Sequence, residues 1–379
     1  MKTLSRILAS IFLIILLLVL GLFITGNEFL VKGVWATYLH GEKTATIDDD
    51  RFFETRTVAA NNPEPWPIHK RYNAVKLSDE LNSTLQESES VAFVVVKNDK
   101  LLFEQYWDGY SDTSHSNSFS MTKSIITILT EIAIEQGYIK SWNEKVNTFL
   151  PELEGPYAND LELWHLSTMT AGLQWNEHYT NPFDITARAY YGNDIASLIY
   201  REVPVVNKPG DTYNYQSGAP QLLGLVLSKA TGKTVSEFAS EVLWSKIGAM
   251  HDASWHLDNK DGNELTYCCF NSNARDFARL GKLMLNYGNW DGNQILDSTF
   301  VAKAGHGVGV DYYGWSFWIY NDLNTPIYYF RGILGQYIIV FPEKDLVVCR
   351  LGKRRLEDED NHPKDFKVIA RESLKYFGY

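Results

Sequence analysis

The chain has 379 residues, 45% hydrophobic and 21% charged, which is ordinary for a globular protein of one large domain or two small ones. Its formal net charge of -11 at pH 7 would repel a nucleic-acid backbone, and no basic run is interleaved with aromatic residues. Nucleic acid is therefore excluded as an expected partner.

An apolar run near the N-terminus, residues 7–24, contains a single polar residue, Ser10. As a helix it would span about 27 Å, close to the thickness of a bilayer core. Lys2 and Arg6 precede it, so the positive-inside rule predicts a single-pass protein of a bacterial inner membrane, with everything after Gly26 in the periplasm. Residues 23–26 make a poor cleavage site, which favours an uncleaved anchor over the alternative of a removed signal peptide.

Along the chain we predict an anchor helix over 1–26, a lead-in arm over 27–70 and one domain over 71–379. In that domain, β-branched runs on either side of Asn98 and Asp99 predict a hairpin of residues 91–96 and 101–106. Apolar spacing predicts helices over 121–136, 219–230, 235–244, 274–285 and 364–376, and strands over 315–320, 327–330, 337–341 and 346–351. Strands at both ends with helices between them predict an α+β fold, in which one antiparallel sheet is built from both ends of the domain and flanked by helices, with a helical insertion.

The three cysteines lack metal-ligand spacing and predict neither a disulfide framework nor a zinc site. A bond between the adjacent Cys268 and Cys269 would be strained and uncommon. We therefore expect both of them, and Cys349, to be buried as small hydrophobic side chains.

Ser120 and Lys123 form an S-x-x-K motif at the start of the predicted helix 121–136. Residues three apart share a face of a helix, so the amine can reach the hydroxyl, and the helix N-terminus favours negative charge there. Such a pair can make an unreactive hydroxyl nucleophilic. The alternative is a helix-capping serine beside a surface lysine.

Two further segments combine turn residues with chemistry-bearing groups. Tyr215 lies in the turn-rich loop 209–217, where a tyrosine could donate or accept a proton. Alone, it would more often be a packed aromatic residue. The glycines of 332–336 precede an apolar strand and would let the backbone approach a substrate, and the alternative is a tight hairpin turn.

In this order, the three segments resemble serine hydrolases related to class C β-lactamases, which have the β-lactamase/transpeptidase-like fold. The resemblance covers about residues 91–352 and is strongest in pattern with the 6-aminohexanoate-dimer (nylon-oligomer) hydrolase and esterase branch. Its matching segments are 119–123, 166–173, 209–224, 274–279 and 335–342. It implies a nucleophile at Ser120, its base at Lys123, a proton shuttle at Tyr215, an oxyanion hole from the backbone N–H groups of Ser120 and Ile333, and substrate contacts from Gly332, Gln336 and Ser217.

The chain departs from the β-lactamase pattern at three places. Ser217 replaces the asparagine of Tyr-x-Asn, no Lys-Thr-Gly precedes the strand at Gln336, and Met169 stands where many relatives have histidine. His165, four residues earlier, is expected to be structural.

We therefore predict hydrolysis of small-molecule carboxylic esters or small linear amides, without a cofactor or metal. A β-lactamase or penicillin-binding-type peptidase, and a non-catalytic membrane-tethered binding protein, are the alternatives. The pocket walls are expected to come from loops such as 176–193. The natural substrate and the oligomeric state do not follow from the sequence.

Overall fold

The computed structural model describes residues 2–379, so residue 1 of the predicted anchor lies outside it. The helices are α1 Lys2–Ile24, α2 Phe29–Ala36, α3 Asp79–Glu87, α4 Met121–Glu135, α5 Leu163–Ser167, α6 Ile185–Tyr191, α7 Ile195–Glu202, α8 Gly218–Thr231, α9 Val235–Ala239, α10 Ala274–Leu285, α11 Ser298–Ala304 and α12 Lys364–Phe377. The strands are β1 Thr55–Val58, β2 Ser90–Lys97, β3 Lys100–Tyr106, β4 Ser116–Asn117, β5 Ala253–His256, β6 Phe270–Ser272, β7 Asn289–Trp290, β8 Asn293–Gln294, β9 Tyr313–Gly314, β10 Phe317–Tyr320, β11 Ile327–Gly332, β12 Gln336–Phe341, β13 Leu346–Gly352, β14 Asp358–Glu359 and β15 His362–Pro363.

A seven-stranded sheet in the order β3-β2-β13-β12-β11-β10-β9 forms the centre of the molecule, and its neighbouring strands are antiparallel. Side chains alternate across it: Phe93 and Val95 pack with α3 and α12, whereas Val94 and Val96 face the core that contains α4, α8 and α10. Strands from both ends of the domain thus share one sheet covered by helices on both faces. This confirms the predicted α+β architecture.

The predicted hairpin is present as β2 and β3, and the predicted helix 274–285 is present as α10 with the same bounds. The predicted helix 235–244 is different, because α9 ends at Ala239 and the chain continues to Trp244 as a π-helical turn. This turn packs Val242, Leu243 and Trp244 into the core.

The first helix is long and apolar enough over Thr3–Ile24 to cross a membrane, and none of that span is buried against the rest of the protein. A membrane anchor and an N-terminal signal sequence both fit this observation.

The arm is packed on the domain over much of its length. Ile47, Val58 and Trp66 are buried in the main core, and β1 pairs with β5 in a second, four-stranded sheet. Helix α2 packs against α6, which belongs to the predicted pocket loop 176–193. The sequence boundary at residue 70 stays a prediction, but the arm contributes to the same core as the strands that follow it.

Cys268 and Cys269 are joined by a disulfide bond, so the prediction of unbonded side chains at these positions was wrong. The backbone turns at Cys269, whose φ is 74°, and the two adjacent side chains meet. Both residues are buried, as predicted. Cys349 is a free thiol buried in β13, and burial raises its pKa.

Candidate active site

Ser120 lies directly before α4, at the end of a tightly constrained turn. Phe119 adopts a φ of 46°, which is uncommon for a residue with a side chain, and its N–H donates to Asn117 Oδ1 at 2.8 Å. Ser118 N–H donates to the carbonyl of Phe270 at 3.0 Å, which ties the turn to β6. The Ser120 side chain makes no helix-capping hydrogen bond, so the helix-capping alternative does not describe it.

Lys123 is fully buried beneath Ser120, not on the surface. Its Nζ donates to Ser120 Oγ at 3.0 Å and to the carbonyl of Tyr267 at 2.8 Å. Burial disfavours the ammonium form and lowers the pKa of Lys123 to about 8, although the negative charge of Glu177 opposes this shift. A fraction of Lys123 is therefore neutral near pH 7 and able to accept a proton.

Tyr215 is held by a loop that is pinned to the segment after α5. Asn214 N–H donates to the Met169 carbonyl at 2.7 Å, and Gln216 Nε2 donates to the Leu173 carbonyl at 2.7 Å. Met169 itself is buried with its sulfur 3.5 Å from Gln216 N, so it supports this loop.

Tyr215 lines the same cavity as Ser120. Burial raises the pKa of the Tyr215 hydroxyl well above its ordinary value, and the charge of Glu177 raises it further, whereas the neighbouring Ser120 hydroxyl opposes the shift. The Tyr215 ring also lies 5.2 Å from Lys123 Nζ. Three side chains predicted to act together thus meet at one point, with the tyrosine protonated at neutral pH.

His165 is remote from this chemistry. Its Nδ1 accepts a hydrogen bond from Glu162 N–H at 2.9 Å and so caps the first turn of α5, while burial lowers its pKa to about 4. This agrees with the structural role predicted for it.

The glycine-rich turn after β11 brings its backbone close to Ser120. A Cβ at Gly332 would lie 2.2 Å from the Ser118 carbonyl oxygen, so only glycine lets the strand approach this closely. Leu334 and Gly335 then turn the chain with φ values of 63° and 84°. Ile333, at the centre of the turn, lines the cavity beside Ser120. An oxyanion hole from the N–H groups of Ser120 and Ile333 stays a prediction.

Gln336, predicted to contact substrate, is fully buried behind the turn instead. Its Nε2 donates to the carbonyls of Ile333 and Gly352, at 3.2 and 2.6 Å, and its Oε1 accepts from Gly352 N–H. With its polar atoms engaged in this way, Gln336 fixes the position of Ile333. Gly332, by contrast, does line the cavity.

Glu177 is a site residue that the motifs did not reveal. Its carboxylate accepts hydrogen bonds from Ser217 N–H (2.7 Å), Ser217 Oγ (2.5 Å), Trp175 Nε1 (2.6 Å) and the Tyr179 hydroxyl. The predicted substrate-binding hydroxyl of Ser217 is therefore already paired. The only sequence signal for Glu177 was its place in the loop 176–193.

Two lobes of a cavity meet at Ser120, Tyr179 and Ile333. The apolar lobe, about 140 Å³, is walled by Thr44, Ala45, Tyr190 and Tyr191, together with Thr186, Ala187 and Cys268. The other lobe, about 220 Å³ and called the basic lobe for its two arginines, is walled by Tyr215, Trp318, Arg331 and Arg355, together with Glu177. Arg331 forms two hydrogen bonds with Asp358, at 2.9 and 2.8 Å, and Arg355 contacts the same carboxylate, so these three groups carry one net positive charge. The Glu177 carboxylate in the same lobe offsets that charge.

A sequence model of the family described as Beta-lactamase matches residues 79–370. The chain belongs to the beta-lactamase family. It is similar to the 6-aminohexanoate-dimer hydrolase of Paenarthrobacter ureafaciens, with 26% identity over 241 residues, which is 61% of this chain and 60% of that protein.

Solved structures give the same fold. One from Bacillus anthracis, provisionally named as a 6-aminohexanoate-dimer hydrolase, has a TM-score of 0.77 at 22% identity and covers 91% of this chain and 95% of its own. A family VIII carboxylesterase has a TM-score of 0.64 at 15% identity, covering 82% of this chain and 99% of its own. The names of these relatives include a hydrolase and a carboxylesterase, and the chain spans 60% of the length of the curated relative.

Proposed function

We propose that the protein hydrolyses carboxylic esters or small linear amides through an acyl-enzyme on Ser120. The observation that carries this proposal is the 3.0 Å contact between Lys123 Nζ and Ser120 Oγ, made by a buried lysine whose pKa is lowered to about 8. A lysine with this pKa is matched to general-base work near neutral pH.

In acylation, neutral Lys123 takes the Ser120 proton while Oγ attacks the substrate carbonyl carbon. The N–H groups of Ser120 and Ile333 stabilise the oxyanion. Tyr215 then gives its proton to the leaving oxygen or nitrogen as the C–O or C–N bond breaks, and the Lys123 ammonium restores that proton. In deacylation, water attacks the carbonyl carbon of the acyl-enzyme ester, and Lys123 takes the proton of that water. The bond between the carbonyl carbon and Ser120 Oγ then breaks, and the Lys123 ammonium returns a proton to Oγ.

Two features favour esters and linear amides over β-lactams. The Ser217 hydroxyl donates its hydrogen bond to Glu177. The end of β11 has the sequence Phe330-Arg331-Gly332 and carries no Lys-Thr-Gly. The guanidinium groups of Arg331 and Arg355 would nevertheless suit a carboxylate on the leaving group, placed in the basic lobe away from Glu177. Because of these two arginines, a β-lactamase or peptidase is the second candidate function.

We also propose that α1 anchors the protein in a membrane. Lys2 and Arg6 precede the apolar residues 7–24 of this helix, an arrangement that would place the catalytic domain on the periplasmic side of an inner membrane.

The test is covalent labelling of the full chain with a fluorophosphonate, followed by peptide mapping. We expect one label, on Ser120, and Ser120→Ala should lose both the label and turnover. Ser83→Ala is the matched control, because Ser83 is exposed on α3 at the opposite face of the sheet. A label on another serine, or turnover by Ser120→Ala, would contradict the assignment.

The substrate class is tested by comparing kcat/KM for p-nitrophenyl esters, aminohexanoate oligomers and a chromogenic cephalosporin. Esters or linear amides should be turned over much faster than the cephalosporin. The reverse order would favour the second candidate.

A further inference from the structure

The two lobes beside Ser120 differ in their access to the proposed proton donor. Tyr215 lines the basic lobe, together with Trp318 and the two arginines, whereas the apolar lobe is walled by other residues. Since a leaving group must lie next to the hydroxyl that protonates it, the leaving group belongs in the basic lobe. The acyl group of the substrate then extends from Ser120 into the apolar lobe.

We propose that Thr44 and Ala45, in the arm that follows the N-terminal helix, close the apolar lobe and set the longest acyl group that the enzyme accepts. This rests on the proposed acyl-enzyme mechanism at Ser120. Both residues line the lobe directly, as do Tyr190 and Tyr191. They lie outside residues 79–370, the part of the chain that the family model matches.

The arm is fixed at this place by contacts on both sides of Ala45. After it, Asn117 N–H donates to the Ile47 carbonyl at 2.8 Å, and the buried Asp49 carboxylate accepts from Tyr190 Oη at 2.6 Å. Before it, α2 packs on α6 so closely that a Cβ at Gly33 would lie 3.3 Å from the Tyr191 ring. Because Asn117 is also in the turn that holds Ser120, the wall and the nucleophile keep a fixed separation.

The size of the lobe gives the acyl limit. Its volume is about 140 Å³, and an apolar cavity of about 150 Å³ is known to hold benzene. A benzoyl group or a straight chain of about six carbons would fill it. Each methylene buried there should raise kcat/KM about fourfold until the lobe is full.

The experiment measures kcat/KM of the full chain, in detergent, for p-nitrophenyl esters from acetate to decanoate. For the native chain, kcat/KM should increase with acyl chain length up to about hexanoate and should not increase further for longer esters. Ala45→Leu places an isobutyl group where a methyl group was, so the rise should stop two or three carbons earlier, while acetate hydrolysis stays within about threefold.

Thr44→Leu provides an independent measurement, because Thr44 is exposed and its substitution does not disturb the core. It should shift the stopping point in the same direction. Lys43→Leu is the matched control: it adds an apolar side chain to the same arm at an exposed residue outside the lobe, and should leave the profile unchanged.

The possible outcomes distinguish failure of the proposed role of the arm from failure of the proposed acyl-enzyme mechanism. An unchanged stopping point in both Ala45→Leu and Thr44→Leu, with turnover intact, would overturn the role of the arm and leave the mechanism standing. If Ala45→Leu does not fold, Thr44→Leu alone decides. Absence of hydrolysis of every ester by the native chain, with no label on Ser120, would overturn both.

Discussion

Replacing Glu177 with glutamine should shift the pH dependence of catalysis to lower pH without disturbing the site. One Glu177 oxygen accepts from two N–H groups, those of Trp175 Nε1 and Ser217, which can only donate. The other accepts from the hydroxyls of Tyr179 and Ser217, which can rotate and accept. A glutamine can keep its carbonyl oxygen at the first position and place its NH₂ at the second, so the change removes the charge and retains the hydrogen bonds.

The magnitude follows from the groups that act on Lys123. Burial lowers its pKa to about 8 and the Glu177 charge opposes this, so removing the charge should lower the pKa further. A nearby opposite charge shifts a pKa by about one to three units; we take about one, because here burial is the larger effect. If neutral Lys123 is the base, as proposed, the fraction that can act at pH 7 should rise from about a tenth to about a half, and kcat/KM should rise about fivefold.

The assay is kcat/KM for a short p-nitrophenyl ester from pH 5.5 to 9.5. The native profile should rise with an inflection near pH 8, and that of Glu177→Gln with an inflection near pH 7. Glu80→Gln, at an exposed position on α3, should leave the inflection unchanged. An inflection that stays in place or moves to higher pH in Glu177→Gln would show that Lys123 is not the titrating base.

Three other outcomes are expected. Tyr215→Phe should keep the melting temperature and lower kcat by about 10² to 10⁴, the usual range for a lost proton-transfer group; a fall below tenfold would remove Tyr215 from the mechanism. Asp49 has its pKa raised to about 6, mainly by burial, so its contribution to stability is present below about pH 4 and is lost as pH rises through 6. Asp49→Asn should remove up to about 3 kcal/mol of that pH dependence, measured by thermal unfolding between pH 4 and 7. For the helix Thr3–Ile24, fractionation should find the chain in membranes after an alkaline wash, and recovery in the soluble cytoplasmic fraction would contradict the anchor.

The Ser120–Lys123 pair could be predicted from the sequence because its geometry is local. Residues three apart on a helix face the same way, and the 3.0 Å contact follows from that spacing. Most strands and helices could be predicted for a similar reason, because the spacing of apolar residues that indicates each element lies within that element's own sequence. Tyr215 required the family resemblance, because its loop is positioned by contacts with residues 169–173, far from it in sequence.

Other parts of the site had no local signal. The contacts between Glu177 and Ser217 join positions forty residues apart, and neither hydrophobic periodicity nor a motif marks them. The walls at Thr44 and Ala45 come from a segment that lacks periodicity and was expected to be only a lead-in. The prediction for Gln336 was wrong because a polar residue beside a glycine turn can either contact substrate or hydrogen-bond to the backbone of the turn. Its Nε2 donates to the carbonyls of Ile333 and Gly352, and the approach of Gly352 could not be foreseen from the local sequence.

One physical cause, burial, prepares both the proposed base and the proposed acid of the site. Burial penalises charge, so it lowers the pKa of Lys123 and raises that of Tyr215, leaving a partly neutral amine and a neutral phenol on the two sides of Ser120. The Glu177 charge raises both pKa values, which keeps the phenol protonated but limits the neutral amine. Four donors hold that charge in place, so the balance between base and acid is set by fixed geometry.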